Sequence, residues 1–178
     1  NYKNTCLHLA NSAGTINNKD LHYDMVRVGL ALYGYHPNKR ISSELELEPA
    51  MTVKARITFI REVPAGIGVS YGHLYKTQRK SRLAVVGIGY ADGVNRALSG
   101  KISALVNGCE LPQVGAITMD QLILDATDIP DLHVGSVVTL LGSDGENSIS
   151  VIDWTSKCDS IPWEILCGFK HRLPRVIV

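Results

Sequence analysis

The chain has no excess of charge of either sign. Eighteen Lys and Arg face 17 Asp and Glu, a formal net charge of +1, which leaves no basic footprint for nucleic acid and no acidic tail. No apolar run approaches the ~18 residues that span a membrane, and there is no charged-then-apolar leader, so this segment is expected to make no membrane contact. Paired cysteines are lacking too. Cys6, Cys109, Cys158 and Cys167 stand far apart with no C-x-x-C among them, which argues against zinc or another metal. Two disulfides are possible by number, but a chain this apolar does not need them. The cysteines are expected to be reduced and mostly buried, as in a cytoplasmic protein. No internal repeat or low-complexity tract occurs. The first residue is not Met, so the chain reads as a piece of a longer protein.

What is present is ordinary globular material: 178 residues, 19.4 kDa, 45% hydrophobic and 20% charged. That suits one domain, or one domain with a fragment of another. A domain of this size buries roughly 70% of the surface its unfolded chain exposes, so it folds without staples. Leu7–Ala10 is strand-like and stops at Asn11-Ser12-Ala13-Gly14, read as a small polar turn. Val26–Gly34 is a second apolar run, and His36–Arg40 a polar connector. These read as the last strands of something larger upstream. From about Leu45 the character changes. Runs at 52–63, 83–88, 102–106, 122–124 and 137–141 lie between turn signals, and Asn107-Gly108 is a strong hairpin signal. The expected fold is mainly β: a small closed antiparallel, Greek-key-like barrel. Two short helices close it. One is capped by Ser150 with Asp153 in its first turn, and one opens at Ser160–Glu164 with Pro162 near its start.

Several residues could carry chemistry. Tyr71 sits in Val69-Ser70-Tyr71-Gly72, after Gly66-Ile67-Gly68. A tyrosine hydroxyl ionises near pH 10, so to act as a base it needs a nearby positive charge or donor; the bland alternative is an aromatic plug over a barrel end. Gly87-Ile88-Gly89-Tyr90-Ala91-Asp92-Gly93 puts two glycines inside an apolar strand, a mark of close backbone approach or a bulge, with Tyr90 and Asp92 polar at the strand's end, a common place for a site. It lacks the third glycine and the helix of a dinucleotide fingerprint. Met119 and Asp120 lie in Gly115–Gln121 beside another strand, where a methionine is ordinarily core filler. Ser12, with bare N–H groups after Gly29, could cradle a phosphate. Arg27, on an apolar strand, is expected to be buried and to need a partner, which His8 could supply.

In this order, these pieces resemble the alanine racemases, pyridoxal-phosphate enzymes of fold type III. The matching stretches are His8–Ala13, Val26–Gly34, Val69–Gly72, Gly89–Gly93 and Val114–Gln121, with the tail Arg172-Leu173-Pro174-Arg175. The resemblance implies that residues 1–44 are the end of a cofactor-binding (β/α)8 barrel and residues 45–178 the C-terminal β domain. It implies that Ser12, Asn11, Gly29 and Leu30 lie at the cofactor, the phosphate falling to Ser12 and the backbone of Gly29 and Leu30. Arg27 would donate to the pyridine nitrogen, oriented by His8. An arginine keeps its proton, so the ring nitrogen stays unprotonated; this weakens the electron sink while still permitting proton exchange at Cα. Tyr71 would take the Cα proton of an L-amino acid. The Met119 backbone would meet the substrate carboxylate, and Tyr90 and Asp120 would line the access path. Tyr71 and Met119 would serve the partner subunit, in a head-to-tail homodimer.

Two departures stand out. The lysine that bonds the cofactor lies in the family's N-terminal half, and none of the nine lysines here, Lys39 included, sits in a matching motif. The chain alone is therefore expected to be inactive and to bind the cofactor weakly or not at all. Second, His171 stands where many members have a Tyr near the phosphate. Serine racemases of vancomycin-resistance clusters, which are membrane-anchored, also depart from Tyr there. Serine is thus the second candidate substrate after alanine. A non-catalytic barrel module for dimerisation is a further alternative, but retention of Tyr71, Arg27 and Ser12 together speaks against it. Ornithine-type decarboxylases use an acid at the pyridine nitrogen, and Arg27 speaks against them.

Overall fold

The computed structural model describes residues 4–38 and 45–177; Lys39, Arg40 and the boundary drawn at residue 44 lie outside them. The chain divides into two compact units, Asn1–Met51 and Thr52–Val178.

In the first unit, β1 (His8–Asn11) and β2 (Met25–Arg27) pair in parallel. Parallel pairing needs a crossover, supplied by α1 (Ser12–Asn17) and a 3-10 turn at Lys19–Leu21. The segment read from sequence as a polar turn is thus the start of a helix. Its cause is Asn11, whose side chain accepts from the Gly14 N–H and caps α1. After β2 a 3-10 turn, Leu30–Tyr33, ends at Gly34. Gly34 has φ +81°, and a Cβ there would stand 1.8 Å from the Glu48 carbonyl oxygen, so only glycine fits.

The second unit is mainly β. Its strands are β3 (Val53–Val63), β4 (Gly68–Val69), β5 (Tyr75–Lys76), β6 (Ser81–Val86), β7 (Ser103–Val106), β8 (Cys109–Pro112), β9 (Leu122–Asp125), β10 (Val137–Asp144) and β11 (Asn147–Ile149). Seven form one antiparallel sheet in the order β8-β7-β10-β3-β6-β9, with β11 on β10. The two ends of that path meet at a single bridge, Gln113 to Leu124, and the Val114 N–H donates to the Ile123 carbonyl at 2.9 Å. β4 and β5 make a separate hairpin. Asn107 and Gly108 both adopt positive φ, 50° and 73°, so β7 and β8 join in the tight turn their sequence specifies.

The core is drawn from these strands: Ile57, Val86, Leu105, Leu122, Leu124 and Leu140 are all at most 1% exposed, and Ala104–Val106 and Val138–Leu141 are buried without a break. The helices α2 (Val151–Cys158) and α3 (Pro162–Gly168) pack against each other, and α2 also against a 3-10 turn at Arg96–Leu98. Trp154 of α2 is wholly buried, 6.2 Å from the Phe169 ring. The cysteines depart from expectation. All four are free, but none is buried: Cys6, Cys109 and Cys167 are exposed and Cys158 is intermediate. Cys109 opens β8 on its solvent side, just past the hairpin turn, where packing makes no claim on a small apolar side chain. Burial, then the charge of Glu164, pushes the Cys158 thiol up. Among the described residues, no helix is long and apolar enough to cross a membrane.

At the start of α2 the Ser150 hydroxyl accepts from the Asp153 N–H at 3.2 Å, and Asp153 accepts from the Ser150 N–H at 2.7 Å. Ser150→Ala should lower the stability of this chain by about 1 kcal/mol, read as a shift of the urea midpoint. An unmoved midpoint would mean that packing alone fixes this helix start.

Candidate active site

In the first unit the strand ends deliver two small polar constellations. At the first, Ser12 is buried and its hydroxyl accepts from the N–H groups of Gly29, at 3.0 Å, and Ala31, at 3.3 Å. Of the N–H groups after Gly29 that the sequence suggested were bare, that of Ala31 is therefore taken by the Ser12 hydroxyl, as is that of Gly29 itself. Leu30 opens the 3-10 turn, so its N–H has no acceptor within that turn. Where a Gly29 Cβ would stand there is no atom within 4 Å. Asn11 spends its side chain on capping. At the second, Arg27 Nη1 donates to His8 Nδ1 at 2.6 Å. A guanidinium cannot accept, so Nδ1 is the unprotonated nitrogen and His8 carries its proton on Nε2. Arg27 is exposed rather than buried. Its three-residue strand has an edge pattern in which only Val26 is even half-covered.

In the second unit Tyr71 tops the β4–β5 hairpin. The base of that hairpin is stitched by buried Thr77, whose hydroxyl donates to the Pro64 carbonyl at 2.8 Å and accepts from the Ile67 N–H at 2.9 Å. The tip bends through positive φ at Ser70 (61°), Gly72 (70°) and His73 (46°). Ser70, with ψ −171°, occupies a region that is essentially glycine's and costs about 1–3 kcal/mol. Its hydroxyl donates to the Ala116 carbonyl at 2.8 Å, fastening the tip to the segment before β9. Tyr71 is left 75% exposed. Within the second unit it is therefore not an aromatic plug.

A second junction joins Gly89–Gly93 to the 118–120 segment. The N–H groups of Tyr90 and Ala91 donate to the carbonyls of Thr118, at 2.9 Å, and Met119, at 3.0 Å. This works because residue 89 is glycine: a Cβ there would lie 2.3 Å from the Thr118 carbonyl oxygen. Tyr90 and Met119 stay partly exposed, so Met119 is not core filler. Asp92 is buried and accepts from the Gly89 N–H at 2.9 Å. Arg172, from the tail, bonds both Asp92, at 3.1 Å, and Asp120, at 2.6 Å. The Asp120 hydrogen bond, with the charge of Asp92, raises the Arg172 guanidinium above its ordinary value, against the pull of burial. Within the second unit, then, Tyr90, Met119 and Asp120 come together. Tyr71 joins the same strand-leading segment through Ser70, and His171 is an exposed neighbour of Arg172 in sequence. Sequence reading marked Asp92, with Tyr90, as polar at the end of a buried strand, but named no partner for it, and took Arg172 only for part of an ending. The one available signal was a carboxylate at the end of a buried strand, which demands a counter-ion.

Gly89→Ala should cost this chain about 1–3 kcal/mol by overpacking against backbone that cannot yield without opening the junction. The urea midpoint reads it, and a midpoint equal to wild type would show that the 118–120 segment moves freely.

Residues 50–177 match the family model for the alanine racemase C-terminal domain, and residues 1–37 that for the alanine racemase N-terminal domain. An alanine racemase of Prochlorococcus marinus is 62% identical over 96% of this chain and 44% of its own length. An alanine racemase of Bacillus anthracis with bound L-Ala-P superposes with a TM-score of 0.88 at 36% identity, covering 96% of this chain and 44% of that one. One from Bartonella henselae with covalently bound pyridoxal phosphate gives 0.83 at 37% identity, over 95% and 46%. The chain thus spans less than half the length of these relatives.

Proposed function

Because the chain belongs to the alanine racemase family, we propose that it is the C-terminal part of a pyridoxal-phosphate-dependent racemase interconverting L- and D-alanine. The observation that carries this is Tyr71, held outward on a strained and fastened loop where its hydroxyl is free to meet a substrate. The residues present fit the cofactor. Nothing lies within 4 Å of where a Gly29 Cβ would stand, the Leu30 N–H has no acceptor within its turn, and Arg27 offers N–H donors that cannot be lost as protons. Ser12 shapes that turn by holding Gly29 and Ala31, and Asn11 fixes the start of α1 beside it. Pyridoxal phosphate, when bound, withdraws electrons from the amino acid and makes its Cα proton removable.

The chain's own residues divide the remaining work. Arg27 holds a donor toward the ring nitrogen, aimed by His8. Tyr71 takes the Cα proton of the L-amino acid. The Met119 N–H receives the substrate carboxylate, its carbonyl being committed to Ala91. Tyr90 and Asp120 border the access path, and the family resemblance gives His171 its role beside the phosphate. Tyr71 and Met119 act on the substrate of a partner subunit in a head-to-tail homodimer; the exposure of both supports this. The bridge between Gln113 and Leu124 supports a closed barrel for residues 45–178, and the match of residues 1–37 to the N-terminal family model supports residues 1–44 as the end of the (β/α)8 barrel. Four free cysteines suit a cytoplasmic enzyme. The relatives' names support alanine over serine, and none supports a membrane-anchored parent.

In the full-length protein, Tyr71→Phe should lower L-to-D turnover by roughly 10²–10⁴-fold, about 3–5 kcal/mol of barrier, with cofactor binding unchanged. Exchange of the Cα proton with solvent deuterium should fall with it. Wild-type exchange in the variant would remove Tyr71 from the chemistry.

A further inference from the structure

The proposed carboxylate contact has an electrostatic difficulty. The residue after Met119 is Asp120, an exposed carboxylate, and an anion there repels the anionic end of an amino acid. A second carboxylate, Asp92, lies buried in the segment that hydrogen-bonds Met119. One oxygen of Asp92 is committed to the Gly89 N–H. A single cation answers both: Arg172 Nη2 meets Asp120 Oδ1 at 2.6 Å, and Arg172 Nε meets Asp92 Oδ1 at 3.1 Å. Among the described residues no other cation pairs with either carboxylate.

We propose that Arg172 is a positioning residue that sets the affinity of this site for the carboxylate of its substrate, by neutralising Asp120 and holding it away from the Met119 N–H. The inference rests on the reading of Met119 given above. Asp92 anchors the guanidinium from the buried side, so that its outer nitrogen reaches Asp120 in one geometry. The local charge of the three groups is one negative. Removing Arg172 makes it two, removing the Asp120 charge makes it zero, and removing both returns it to one.

The test is steady-state kinetics with L-alanine on the full-length protein. If charge governs binding, KM follows that ladder, with each step about fivefold, the size of a screened contact near a surface. Arg172→Gln raises KM by that factor, Asp120→Asn lowers it, and the double variant returns to within about twofold of wild type. Arg172→Lys, which keeps the charge, also stays within about twofold, and kcat changes little throughout. A merely structural strap gives another pattern: the double variant is then as poor as Arg172→Gln or worse, and this overturns the proposal. Arg172→Gln leaves Asp92 buried without its counter-ion and can fail to fold. Asp120→Asn, which leaves that inner pair intact, then decides alone, and a rise in KM overturns the proposal. Absence of alanine racemisation in the wild-type protein overturns the reading and the inference together. Wild-type activity with unordered KM values overturns the inference only.

Discussion

The second unit depends on β3, because one strand of eleven residues serves two neighbours in turn. Its first residues, Val53–Arg56, pair with β10, and the rest, to Val63, with β6. Between Ile57 and Phe59 the register shifts, inserting Thr58 as an extra residue. A bulge bends its strand and re-aims what lies opposite. Opposite this one is Gly87, whose N–H donates to the Arg56 carbonyl at 3.0 Å and whose missing Cβ would crowd the Thr58 methyl at 3.1 Å. There β6 leaves the sheet and turns toward Gly89 and Tyr90. The irregularity in the longest strand thus decides where the Tyr90 segment begins its approach to Met119.

Downstream of β3 the chain stores strain and then contains it. A serine with φ 61° and ψ −171° would relax if left alone. Its hydroxyl bond to Ala116 offsets about 1 kcal/mol of that cost. The rest is met by fit: a Cβ on Gly115 would stand 2.7 Å from the Val69 carbonyl oxygen, so the loops touch backbone to backbone. Gln113, buried, donates to the Val114 and Gly115 carbonyls and accepts from the Gly100 N–H, so the platform beneath Ser70 is itself fixed. A side chain exposed as fully as Tyr71 has little packing of its own. This backbone fixes where that side chain starts.

How much of this was legible in the sequence depends on how local the cause is. Asn107-Gly108 specified its own turn, and Ser150 with Asp153 its own cap, because the interacting groups are at most three residues apart. Gly89 announced a close approach, though not what approached. The helix at Ser12 was missed because Asn11 reads equally as a turn residue and as a cap, and its choice depends on the parallel pairing of β1 with β2. β4, β5 and β11, of two or three residues each, carry too little pattern to register. The exposure of Cys109 shows the limit of residue-type averages: an apolar run gives a strand, but not which of its faces is covered. The pairing of Arg172 with Asp92 spans 80 positions, a separation that no sequence pattern encodes.

The two guanidinium groups at the candidate sites are balanced differently, and the difference follows from their acceptors. Arg27 is held by His8 Nδ1, a neutral acceptor, so its full positive charge stays available to whatever its remaining N–H groups meet. A carboxylate in place of His8 would hold the guanidinium as firmly but cancel its charge, and a weakly basic partner such as an aromatic ring nitrogen would then face a poorer donor. Arg172 is held by two carboxylates, so it brings no net positive charge and serves to cancel one. The first arrangement suits donation to a neutral lone pair. The second suits a place where an anion must come close to an aspartate. The first needs arginine rather than lysine, since the planar fork fixes direction as well as charge; at the second it is the charge that counts.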